Sequence, residues 1–241
     1  MSALYSNLLT LNVDQHPDLT IKTLDDHFAF ARTMHVMPLS ISEFSAAAGH
    51  YPIVFVQGAD QVFYAMALTG LEPDNNLFVD ANGRWEAETY VPAFVRRYPF
   101  MLGTSDDGQA LAVQVDADYA GLNHAEGTAF FKEGEASEYL QQVMSFLRAY
   151  QNEMAATQQF VNRLHQLELL VPQQITVSDE LGPDKTLGGF WVLDDKRYNE
   201  LDDQRVIEMF HNGFLRLIEQ HKLSLNRIQT LARRAERRLQ H

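Results

Sequence analysis

Between residues 135 and 170 the apolar side chains Leu140, Val143, Leu147, Tyr150, Met154, Val161 and Leu164 recur at steps of three, four or seven. That spacing is one stripe of an α-helix. A helix covering the whole segment would be on the order of 50 Å long, more than a compact domain of this size needs. The expectation is therefore a helix that protrudes, breaks near Asn152 or packs against another chain, and a homodimer is the simplest form of the last.

A second stripe follows Asp202 and Asp203, either of which can cap a helix. It runs through Val206, Phe210, Phe214, Leu217, His221, Leu225, Ile228 and Leu231. Between the two stripes Pro172 stops the first helix, and residues 174–177 and 187–193 read as strands around Gly182, Pro183 and Asp184. Two long helices thus bracket one hairpin.

Upstream the pattern is β-like. Residues 40–48 form a short helix, closed by Gly49 in a left-handed conformation. Residues 53–56 and 62–68 flank Gln57, Gly58, Ala59 and Asp60 and predict a hairpin. Asn82-Gly83 predicts a second between residues 77–79 and 84–86, because Asn-Gly readily supplies positive φ. A third joins residues 101–103 to 110–115 across Ser105, Asp106, Asp107 and Gly108, and a short helix over residues 93–98 ends at Pro99. The fold class is α+β: an antiparallel meander in the middle and long C-terminal helices around a further hairpin. With no linker rich in Pro, Gly or Ser, residues 1–241 read as one domain, strand-rich over about 50–120 and helical over about 135–238.

Composition narrows the partners. A net charge of −13 opposes binding to phosphate backbones, so nucleic acid is not expected. There is no Cys, hence no disulfide, thiolate metal site or thiol nucleophile. No apolar run reaches the roughly 20 residues of a spanning helix, and residues 1–20 do not read as a secretory signal. A cytoplasmic location is the expectation.

Phosphate loops, dinucleotide fingerprints, nucleophile elbows and zincin spacing do not occur, so no cofactor is expected. The pairs Asp106-Asp107, Asp194-Asp195 and Asp202-Asp203 read as turn and cap residues. One metal reading remains. His124 and Glu126 fall on the same side of an extended segment, and His211 or His221 could complete a two-His, one-carboxylate set. A ligand site is suggested instead by Trp85, Arg96, Arg97 and Tyr98. Adjacent arginines on a helix diverge by about 100°, so one is expected to pair with a carboxylate at the core edge. In the ligand reading a guanidinium clamps a carboxylate or phosphate beside the flat faces of Trp85 and Tyr98. Clustered arginines over residues 227–238 contrast with the acidic remainder and read as a helix end or as a docking point for an acidic partner.

Two segments are distinctive: YVPAFVRRYPF over residues 90–100, with Trp85 before it, and GGFWVLDDKRYNEL over residues 188–201. Together with Tyr51, Pro52, Ile53 and Val54, and a late helix carrying Gly213, His221, Ser224 and Leu225, they resemble the bacterial SapC family from about Val36 to Leu231. That family is named for an S-layer gene locus and has no established biochemical activity. Its members are often encoded beside cupin-like oxygenases and tryptophan-halogenase-like flavoproteins. The resemblance implies an accessory protein, and three functions follow as expectations: a non-catalytic binder of a protein or peptide partner, a metal-dependent oxygenase using His124, Glu126 and a later His, or a scaffold in envelope biogenesis.

Overall fold

The computed structural model describes residues 4–5, 7–105, 110–177 and 185–239. In chain order the strands are β1 (Leu8–Thr10), β2 (Thr20–Ile21), β3 (Val36–Pro38), β4 (Ile53–Gln57), β5 (Phe63–Leu68), β6 (Phe100–Thr104) and β7 (Leu111–Asp116). They continue as β8 (Leu122–Asn123), β9 (Thr128–Ala129), β10 (Phe131–Lys132), β11 (Glu135–Ala136), β12 (Leu170–Val177) and β13 (Lys185–Leu193). The α-helices are α1 (Phe44–Ala47), α2 (Ala93–Arg96), α3 (Glu138–Gln166), α4 (Asp195–Asn199), α5 (Asp203–His211), α6 (Phe214–Ser224) and α7 (Arg227–Leu239). Helices and antiparallel sheets together make the expected α+β class.

The β4–β5 hairpin forms as predicted and pairs Ile53 with Ala67 and Gln57 with Phe63. It lies at the centre of a five-stranded antiparallel sheet of order β12-β13-β4-β5-β3. The β6–β7 hairpin also forms, but in another sheet, β1-β7-β6; its Asp106, Asp107 and Gly108 lie outside the described residues. The predicted single meander is thus two sheets, because each hairpin recruits partners distant in sequence. The hairpin expected around Asn82-Gly83 shrinks to one bridge, Val79 to Trp85. Gly83 adopts φ +72°, and a Cβ there would meet the Asp26 carbonyl oxygen at 2.9 Å, so the turn is pressed against the preceding chain.

Helix α3 is a single element of 29 residues, about 44 Å long, and does not break at Asn152. Ser137 caps it, its Oγ accepting the N–H of Leu140 at 3.2 Å. Its length serves two cores. Leu140 and Leu147 join Phe100, Val113, Val115 and Phe130 under the β6–β7 sheet. Phe160, Val161 and Leu164 join Phe44, Ile53 and Phe55 under the five-stranded sheet. The stripe that looked too long for one core spans both.

Three further expectations are corrected. Pro172 lies inside β12, where an edge strand tolerates its missing N–H. Gly49 does not adopt positive φ; the short helix begins as a 3-10 turn, Ile41–Glu43, and continues into α1. The second long helix is three helices, because Gly213 takes φ +73° between α5 and α6 and the chain turns again before α7. Asp202 does cap α5, accepting the N–H of Arg205 at 2.9 Å. The turn at Gly213 separates the stripe: Leu217 and His221 are buried, whereas Val206 and Phe210 are exposed. Among the described residues no helix is long and apolar enough to cross a membrane.

Candidate functional site: an arginine-lined cavity

Helix α2 is one turn long, and its position is set from outside. The carboxylate of Glu43, 5% exposed, accepts the Ala93 N–H at 2.6 Å and the Tyr90 hydroxyl at 2.9 Å through Oε1. Its Oε2 accepts the N–H and hydroxyl of Ser40, closing a capping box. A buried charge with these donors is well solvated by the protein. It fixes the segment that carries the two arginines.

Arg96 and Arg97 diverge as the helical geometry requires. Arg96 is exposed, donates to the Val91 carbonyl at 3.0 Å and lies 5.4 Å from the Phe146 ring. Arg97 turns inward among Phe94, Tyr150 and Tyr5, with its guanidinium carbon 4.8, 5.2 and 5.6 Å from the three ring centroids. The Arg97 Nε is buried without a hydrogen-bond partner, and the side chain makes no hydrogen bond or ion pair among the described residues. The expected pairing of one arginine with a core-edge carboxylate does not form there. Aromatic faces take its place, stabilising the cation without using its N–H groups.

Both arginines open onto a cavity of about 320 Å³ between the α2–β6 segment and the N-terminal half of α3. Tyr98, His27, Tyr119 and Phe146 line it as well. The Tyr98 hydroxyl donates to Asp116 Oδ2 at 3.2 Å, and its ring lies 4.1 Å from that of Phe30. Burial, with the Asp116 charge adding to it, pushes the Tyr98 phenol well above its ordinary range. Tyr5 and Tyr150 are pushed up to about 12, burial outweighing the opposing charge of Arg97. Burial also lowers the pKa of His27. At neutral pH the phenols and this imidazole are uncharged, and the two guanidinium groups supply the charge of the lining. The chamber offers N–H donors, aromatic faces and net positive potential, a combination suited to a carboxylate or phosphate group.

Three of the four ligand-site residues expected from the sequence, Arg96, Arg97 and Tyr98, meet at this cavity. Trp85 does not. Its indole, 8% exposed, packs against Phe28 and Phe78 in the other core and donates to the Tyr51 hydroxyl at 3.2 Å. The turn at Gly83 directs it there. Tyr5, His27, Tyr119 and Tyr150 complete the surroundings, and no local spacing links them, because they come from segments far apart in the chain.

The metal set is not brought together. His124 and Glu126 are exposed on a loop, where Glu126 pairs with Lys22 at 3.2 Å. His211 is exposed on α5. His221 is buried, and both its nitrogens are used: Nε2 accepts the Leu193 N–H at 3.1 Å, and Nδ1 donates to the Ile53 carbonyl at 2.8 Å. Among the described residues no group of three His, Cys, Asp or Glu side chains could hold a metal ion.

Comparison with curated proteins and with solved structures finds no match. The SapC family model matches residues 11–231 of the 241-residue chain, and the chain belongs to the SapC family.

Proposed function

We propose that this chain is a non-catalytic binding protein of the cytoplasm that recognises an acidic group on a protein or peptide partner through the Arg97 cavity. The observation that carries the reading is Arg97 itself: a guanidinium held by rings, its N–H groups unclaimed by the described residues, on the wall of a cavity large enough for a side chain. Arg163 and Arg234 also bury an Nε without a partner, but each spends other N–H groups on a carboxylate, whereas Arg97 spends none among the described residues. The exposed Ile207 and Phe210 on α5 support a macromolecular partner, since neighbouring large apolar side chains on a surface mark contact sites. The partner class drawn from the family resemblance is a modifying enzyme of the cupin-oxygenase or flavin-halogenase type. A second copy of the chain is the other macromolecule to test.

Affinity purification from native lysate, with wild-type protein and Arg97→Ala in parallel, tests this. A stoichiometric partner retained by the wild type and lost by the variant is the expected result. A clean monomer from both, or equal retention, counts against it.

A further inference from the structure

A second cavity, of about 350 Å³, lies between α7 and the segment that carries Leu77 and Glu86. Four arginines line it: Arg233, Arg234, Arg237 and Arg238. Their roles divide by helix face. Arg234 lies 4.4 Å above the Phe78 ring and pairs with Glu86 at 2.6 Å. Arg238 donates to the carbonyls of Asn76 and Val79 at 2.9 and 2.6 Å. These two dock the helix. Arg233 and Arg237, one turn apart and exposed, make no hydrogen bond or ion pair among the described residues. The Arg234 Nε is buried and likewise without a partner.

The charge in this lining is unbalanced. Among the described residues that line it, four guanidinium groups face one carboxylate, that of Glu86, on a chain whose net charge is −13. Like charges this close repel; the Arg238 pKa is lowered by burial first and by Arg32 next, with Arg234 of the lining adding a smaller contribution. A carboxylate would neutralise one excess charge and leave two. A phosphate monoester or diphosphate brings two or more negative charges into a small volume and matches the forked donors of arginine.

We infer that this cavity is a binding site for a multiply charged phosphate group, with Arg233 and Arg237 as its ligand-facing clamp and Arg234 and Arg238 as the docked base. The site is independent of the Arg97 cavity, and so is its test. Inorganic pyrophosphate titrated calorimetrically into the full chain at low salt should bind saturably. Arg233→Ala/Arg237→Ala, which removes exposed side chains only, should weaken binding at least tenfold, both in the wild-type chain and in an Arg97→Ala background where the other cavity cannot contribute. Raising the salt should weaken binding in the wild type. Absence of saturable binding at millimolar pyrophosphate overturns the proposal, as does equal affinity in the double variant. Tighter binding of a hexaglutamate peptide than of pyrophosphate to the Arg97→Ala chain overturns it in favour of an acidic peptide. Cosedimentation with phosphatidic acid vesicles, without pyrophosphate binding, overturns it in favour of a membrane surface.

Discussion

The carboxylate of Glu43 accepts the backbone N–H of Ala93 at 2.6 Å, so a buried acid from the first helical turn holds the start of the helix that carries Arg96 and Arg97. The same oxygen takes the Tyr90 hydroxyl, which in turn receives Arg96 at 3.3 Å. Positioning of the cavity wall therefore depends on a residue that does not line it.

Removal of this carboxylate should cost both stability and placement. Glu43→Ala leaves the Ala93 N–H, the Tyr90 hydroxyl and the Ser40 donors without their acceptor, and each orphaned buried group costs about 1–3 kcal/mol. Urea unfolding should report a loss of at least about 3 kcal/mol. A change below about 1 kcal/mol would show that water replaces the carboxylate and that the clamp is not structural.

Acid should destabilise the fold through His221. Burial lowers its pKa from 6.5 to about 4 in the folded chain, so between these values the unfolded chain binds more protons. Its contribution is complete above about pH 6.5 and is lost as the pH falls toward 4, about 2 kcal/mol by pH 5. His27, His35 and His50 are lowered too, burial being the main cause, and add to the same slope. His221→Gln can keep both hydrogen bonds without titrating. Stability measured from pH 7 to 5 should fall less steeply in that variant, and an identical slope would remove His221 from the account.

One helix shared by two cores should couple them. Leu147→Ala and Leu164→Ala, each buried in a different cluster, should each cost about 2–5 kcal/mol. Both should shift a single cooperative transition seen by fluorescence and by circular dichroism. Two separated transitions would mean that residues 1–241 fold as two units.

Much of this architecture is legible in local pattern. The α3 stripe, the β4–β5 hairpin and the cap at Asp202 rest on spacings that short-range physics fixes. The α7 arginines were equally visible, although their facing was not. What local pattern misses depends on distant partners. The 3.6-residue period of the last stripe continues through Gly213, and only the left-handed turn there places Phe210 outside and Leu217 inside. Arg96, Arg97 and Tyr98 stood out as a cluster because they are contiguous. Trp85 lies near them in sequence, yet the Gly83 turn sends it to the other core. Tyr5 and Tyr150 were invisible as neighbours of Arg97, since only the packing of α3 brings them to it.

The central claim is that Arg97 reads an acidic group on a partner. A displayed library of random peptides, selected on the full chain, tests it most directly. Enriched peptides should carry Asp, Glu or a free C-terminal carboxylate. Their affinity should fall about 10- to 100-fold in Arg97→Ala, the loss of one or two charge-assisted hydrogen bonds. Arg97→Lys should lie between, because a single ammonium keeps the charge without the fork. Enrichment of neutral peptides, or acidic peptides that bind Arg97→Ala as tightly as wild type, would contradict the claim.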